Sequence, residues 1–91
     1  MNLLGVNLIH LNGHGYTTDV NNNWNGIGWA HFVPGAPCAN IPSGIEIGIL
    51  FYVGGTAADN NNFAIQLIVS STSCFVRNLW AGNWNSWIQI K

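Results

Sequence analysis

The amino-acid sequence predicts a small all-β domain, built as an antiparallel β-sheet or sandwich knob. Apolar residues recur at every second position through most of the chain, which is the period of a half-buried strand. Glycine, asparagine and β-branched residues dominate the composition, and these residue types disfavour helix. A length of 91 residues allows one domain.

Five segments carry the strand pattern, and glycine, proline, serine or asparagine separates each from the next. The clearest alternation places Ile45, Ile47 and Ile49 on one face and Glu46 on the opposite one. We therefore expect Glu46 to face solvent, which implies that the isoleucine face is buried. The predicted strands are residues 26–33, 45–53, 63–69, 73–80 and 84–90.

The last two predicted strands form a tight aromatic hairpin. Ala81-Gly82-Asn83 separates them, and three residues that include glycine are typical of a hairpin loop. We expect Trp80 and Trp84 to face each other across this turn as a cross-strand aromatic pair.

The chain divides into a short N-terminal part and a knob domain of residues 16–91. Within residues 1–15, Leu4, Val6, Leu8 and His10 alternate with polar or small neighbours, and Asn12-Gly13-His14-Gly15 then breaks the run. This pattern predicts an extended connector or a stalk-like segment, and an ordinary first strand is the alternative.

Charged residues make up only 5% of the chain, against about 25% in a typical globular domain. Nucleic acid and anionic membranes both require clustered Lys and Arg, so we expect neither as a partner. Little like-charge repulsion opposes self-association. The composition therefore favours an obligate oligomer, and a monomer with an asparagine-rich surface is the alternative.

The apolar segments are short. The longest uninterrupted one is residues 49–53, whereas a membrane-spanning helix needs about 20 residues. The first residues lack the basic start of a secretion signal, so we expect neither membrane insertion nor export by that route. Cys38 and Cys74 are expected to be free thiols, with one disulfide as the alternative.

The titratable residues argue against an enzyme. A glycosidase needs two carboxylates, but Asp19 and Asp59 lie in turn-forming segments where capping is their ordinary role. No nucleophile motif or phosphate-binding loop is present. His10 and His14 do not have a recognised metal-ligand spacing. We expect no catalytic residue, cofactor or metal, although one histidine repeated around a trimer axis stays an open alternative.

An ordered set of landmarks runs through about three quarters of the chain. They are Asp19-Val20-Asn21, Gly26, Asn40-Ile41-Pro42, Gly48, Gln66 in one strand, Arg77 in the next, and the closing Gly82-x-Trp84-x-x-Trp87. In this order they resemble the knob domain at the C-terminal tips of phage tail fibres and of tailocin (R-type pyocin-like) fibres.

The resemblance implies a homotrimeric, non-enzymatic tip that recognises the host surface. Such a tip is made in the host cytoplasm and lies in the virion, at the distal end of a tail fibre. Arg77, Trp84 and Trp87 belong to the closing motif, so their implied role is structural, in the knob or its trimer interface.

A chain with so few charges must hold a ligand by hydrogen bonds and aromatic faces, which suits a surface polysaccharide. Trp24 lies among asparagines that cannot bury an indole, so we expect this loop to contact host glycan. The candidate ligand-binding residues are Trp24, Asn22, Asn23, Asn25, Trp29 and Trp80. The alternatives are a structural trimerisation cap without receptor contact and a carbohydrate-binding module of a bacterial protein.

Overall fold

The computed structural model describes the backbone of residues 11–12 and all of residues 15–91. These residues form one mostly antiparallel β-sheet and a 3₁₀ helix, Val20–Asn22. The all-β fold class predicted from the sequence is therefore confirmed. The strands are β1 Leu11–Asn12, β2 Gly26–Phe32, β3 Gly48–Thr56, β4 Asn62–Val69, β5 Cys74–Trp80, β6 Asn83–Trp84 and β7 Ile88–Gln89.

The strands follow one another across the sheet in chain order from β1 to β6, and β7 also pairs with β5. Only the β1–β2 pair is parallel among these named strands. The strand predicted over residues 84–90 is interrupted between β6 and β7. There the indole of Trp87 turns away to donate to the carbonyl oxygen of Asn40 at 2.7 Å.

The predicted connector, residues 1–15, lies largely outside the described residues. Its described part includes β1, which pairs in parallel with Ile27 and Gly28 of β2. This two-residue strand agrees with the alternative of an ordinary first strand for that part of the segment.

The core lies on one face of the sheet. Phe32, Leu50 and Ile68 are fully buried there, and Val20 of the 3₁₀ helix packs against them. Partly buried residues of the segment 38–45 complete the cover. We call this covered side the loop face, and we call the opposite side of the sheet the open face.

The burial of β3 is opposite to the prediction. Leu50 and Tyr52 are buried on the loop face, whereas Ile49 is 43% exposed and Phe51 46% exposed on the open face. The reason is that the loops among residues 15–91 that pack on the sheet cover the side of Leu50 and Tyr52. Glu46 is exposed, as expected.

The terminal hairpin turns over two residues instead of three. Ala81 and Gly82 have positive φ angles of 51° and 85°, the combination required by a type I′ turn. This turn pairs Trp80 with Asn83 and Trp84 with Leu79, so the predicted Trp80–Trp84 pair is wrong.

Gly54 in β3 lies so close to neighbouring backbone atoms that there is no space for a side chain. A Cβ at this position would overlap the carbonyl oxygens of Trp24 and Phe63 and the Cβ of Ala64, whereas a Cβ on Gly55 would have no atom within 4 Å.

We predict that Gly54→Ala lowers the free energy of unfolding by about 1–3 kcal/mol, measured by urea denaturation. Gly55→Ala is the matched control, and equal losses in the two variants would contradict this account.

Candidate functional site

A buried polar pair lies at the centre of the loop face. Gln66 in β4 and Arg77 in β5 are directly opposite each other, and they are 0% and 7% exposed. The Nε of Arg77 donates to Oε1 of Gln66 at 2.8 Å. Its Nη2 donates to Oδ1 of Asn21 at 2.6 Å, so the guanidinium connects the sheet to the 3₁₀ helix.

The amide of Gln66 completes this connection. Its Nε2 donates to the carbonyl oxygens of Val20 at 2.6 Å and Asn23 at 2.7 Å. Buried polar groups are costly unless they are hydrogen-bonded. Here Val20 of the 3₁₀ helix and its C-cap residue Asn23 supply the acceptors, and Gln66 of the sheet supplies the donor. The helix and the sheet therefore stabilise each other.

Two indoles cover the guanidinium of Arg77. Its central carbon lies 3.9 Å from the ring centroid of Trp84 and 4.6 Å from that of Trp87, within the range of a cation–π contact. Burial lowers the pKa of Arg77 to about 10, so the side chain stays charged at neutral pH. Arg77, Trp84 and Trp87, the three residues expected to have a structural role, are thus in contact with one another through the guanidinium.

A second chain of hydrogen bonds continues from the helix to Trp87. Asp19 caps the 3₁₀ helix, since its Oδ1 accepts from the backbone N–H of Asn21 at 2.9 Å. The same oxygen accepts from Nδ2 of Asn40, whose carbonyl oxygen receives the Trp87 N–H. Asn40 has a φ of 67°, a left-handed conformation that asparagine tolerates better than most residues.

A cleft of about 560 Å³ opens beside this network, between residues 40–43 and 85–89. Arg77 is the only charged residue in its lining, and it is buried. Ser43 and Ser86 are exposed, and their hydroxyls have no hydrogen-bond partner among the described residues. The cleft is lined by Asn40, Ile41, Pro42, Ser43, Phe75, Arg77, Asn85, Ser86, Trp87 and Gln89.

The asparagine loop before β2 is only partly available to a ligand. Asn22 and Asn25 are exposed, but the indole of Trp24 is half-buried and so faces solvent less than expected. Asn23 is used within the protein, because its Oδ1 accepts a hydrogen bond from the Thr17 hydroxyl at 2.6 Å and its carbonyl oxygen accepts one from Gln66.

The other two candidate tryptophans lie on the open face. Trp29 is opposite Phe51 in the β2–β3 ladder. Trp80 is 64% exposed at the end of β5, and its ring meets Phe63 edge-on at 4.9 Å. The six candidate ligand-binding residues therefore do not converge on one site.

Asp59 and the two cysteines are further titratable residues. The backbone and side-chain N–H groups of Asn61 donate to Asp59 and lower the pKa of that carboxyl, which is the turn role expected for it. Cys38 and Cys74 are both free, and burial raises the pKa of the Cys38 thiol.

No cluster of potential metal ligands occurs among the described residues. Within the same part of the chain, no helix is long and apolar enough to span a membrane. His10 and His14 lie outside the residues that the structure describes.

No family model, no curated protein and no solved structure matches this chain. The resemblance to tail-fibre knobs thus stays a prediction that rests on the sequence landmarks.

We predict that Gln66→Leu lowers the free energy of unfolding by about 2–4 kcal/mol. The substitution removes the acceptor of the Arg77 Nε and leaves two carbonyl oxygens without their donor. Gln89→Leu is the matched control, because Gln89 is exposed in β7. The measurement is chemical denaturation. Similar losses of unfolding free energy in the two variants would show that the buried pair does not contribute more to stability than an exposed glutamine.

Proposed function

We propose that this chain is a receptor-binding domain at the tip of a phage or tailocin tail fibre, where a homotrimer binds a host surface glycan without catalysing a reaction. One observation carries the proposal. The landmarks Asp19, Asn21, Asn40, Gln66 and the closing Arg–Trp–Trp set, which are far apart in the sequence, join in one network of contacts. This contiguity supports treating them as the signature of one structural unit.

The cleft beside the network has the chemistry that a neutral glycan requires. Its lining offers the exposed hydroxyls of Ser43 and Ser86 and the exposed amide of Gln89, whereas the side-chain amide of Asn85 donates to Asn78. Sugar hydroxyls pair with such groups, and the apolar face of a pyranose packs on an indole. The Trp87 ring is held in place by its bond to Asn40, so little side-chain entropy is lost on binding.

The asparagine loop lies near the same cleft. Asn21 at the end of the 3₁₀ helix bonds to Arg77, which lines the cleft. Asn22 and Asn25 follow Asn21 in the sequence and are exposed. We therefore keep Trp24, with these two amides, as a second point of contact for a longer glycan.

A structural trimerisation cap is the second candidate function. The exposed apolar side chains on the open face favour it, because they provide a surface for assembly that needs no receptor. The two candidates differ in one measurable property, which is the binding of surface glycan by the assembled protein.

Blocking the cleft tests receptor binding. We predict that Ser86→Tyr weakens binding to an array of bacterial surface polysaccharides by about tenfold or more, because the ring fills the rim of the cleft. Ala58→Tyr is the matched control, since Ala58 is exposed in the β3–β4 turn and does not line the cleft. An assembled wild-type protein that binds no polysaccharide on the array would favour the structural cap.

The role of the asparagine loop is tested separately with Trp24→Ala. We expect a loss of affinity on the same array, because the half-buried Trp24 lies between the exposed residues Asn22 and Asn25 in the sequence. Unchanged affinity would remove Trp24 from the site and leave the cleft as the whole of it.

The salt dependence of binding tests the neutral character of the ligand. Of the five charged residues, only Arg77 lines the cleft, and it is buried. We predict that the Kd for the bound polysaccharide changes by less than about twofold between low and physiological ionic strength, because salt screens mainly exposed charges. A steep dependence, measured by isothermal titration calorimetry, would indicate an anionic receptor instead.

A further inference from the structure

The exposed large apolar side chains are concentrated on one side of the sheet. Ten such residues occur in the described part of the chain, and seven of them lie on the open face by strand register. The other three, Tyr16, Ile47 and Ile90, lie beside the ends of its strands or bridge to them. The seven are Ile27, Ile49, Phe51, Val53, Ile65, Trp80 and Ile88.

The strand register arranges the open face in rows that run across the sheet. The central row joins Trp29, Phe51, Leu67, Val76 and Ile88. The row on one side consists of Ile27, Val53, Ile65 and Asn78. The row on the other side consists of His31, Ile49, Val69 and Cys74. None of the five charged residues of the chain lies in these rows, and depletion of charge is typical of the centre of protein interfaces.

The size of this apolar surface matches an interface. Six of its aliphatic and aromatic side chains are 40–62% exposed. At roughly 200 Å² for each large side chain, they present about 600 Å². The apolar part of a standard interface is similar, about 65% of roughly 800 Å² per partner. The six are Ile27, Ile49, Phe51, Val53, Ile65 and Ile88.

We propose that the open face is where copies of this chain meet. The number of copies, three, rests on the proposed function, whereas the choice of face rests on the exposure and register given above. In this arrangement Trp29 and Trp80, together with the aromatic ring of Phe63, pack between subunits and do not bind glycan.

Two features of the molecule favour a second copy over a different partner. A foreign partner is commonly selected by complementary charge, and the open face has no charge to offer. The low charge of the whole chain also gives little repulsion between copies.

The arrangement leaves the loop face free for binding. The cleft at residues 40–43 and 85–89 lies on the opposite side of the sheet, because Phe75, Arg77 and Gln89 point away from the open face. When open faces pack together, each subunit presents its cleft outward. Assembly and glycan binding therefore use different sides of the same sheet.

The test is the mass of the protein in solution, measured by size-exclusion chromatography with light scattering at micromolar concentration. The variants are Phe51→Lys in the central row and Ile65→Lys in the next row, both at exposed positions. A lysine at either place buries an unpaired charge when copies meet. Ser86→Lys adds the same charge on the loop face and is the matched control.

We expect a wild-type trimer, a threefold lower mass for the two open-face variants, and no change for Ser86→Lys. Far-UV circular dichroism identifies any variant that fails to fold. If one open-face variant does not fold, the mass of the other one tests the inference. A monomeric wild type, or folded open-face variants that both keep the trimer mass, would overturn the inference. A wild-type dimer that Phe51→Lys dissociates would support this face and contradict the trimer. Absence of glycan binding by an intact trimer would count against the proposed function alone.

Discussion

The hydrogen-bonded pair of Gln66 and Arg77 is the contact on which the covered side of the sheet depends. An amide and a guanidinium would be costly under a loop without partners, and here the 3₁₀ helix, two indoles and the pair itself satisfy them. The pair thus holds the helix, the asparagine loop and the end of the chain on one face. The small apolar cluster around Phe32, Leu50 and Ile68 is enclosed as a consequence.

The sheet has two sides with different chemistry. The loop face combines a small apolar core, a polar network and a cleft in which the one charged lining residue, Arg77, is buried. The open face has rows of aliphatic and aromatic side chains without charge. Only 5% of the residues are charged, and none of the charged residues lies in the rows of the open face. The proposed binding cleft and the proposed assembly surface therefore lie on different sides of the same sheet.

The strands were predictable because alternation and turn residues are local signals, and β2 to β5 lie within about three residues of their predicted bounds. The buried face was not predictable, because β3 is apolar on both faces and only distant loops decide which one is covered. Trp84 pairs with Leu79 because Ala81 adopts a left-handed conformation. The roles of Asn21 and Asn40 depend on bonds across 56 and 47 residues, which no local pattern reports.

The apolar character of both faces of β3 has a consequence for how the chain folds. A slip of one residue would exchange Leu50 and Tyr52 for Phe51 and Val53, so hydrophobic burial discriminates only weakly between alignments. The close fit of Gly54 and the pairing of Gln66 with Arg77 select one of them. Correct strand alignment therefore depends on a few specific contacts, so loss of either contact is expected to lower the yield of correctly aligned protein as well as its stability.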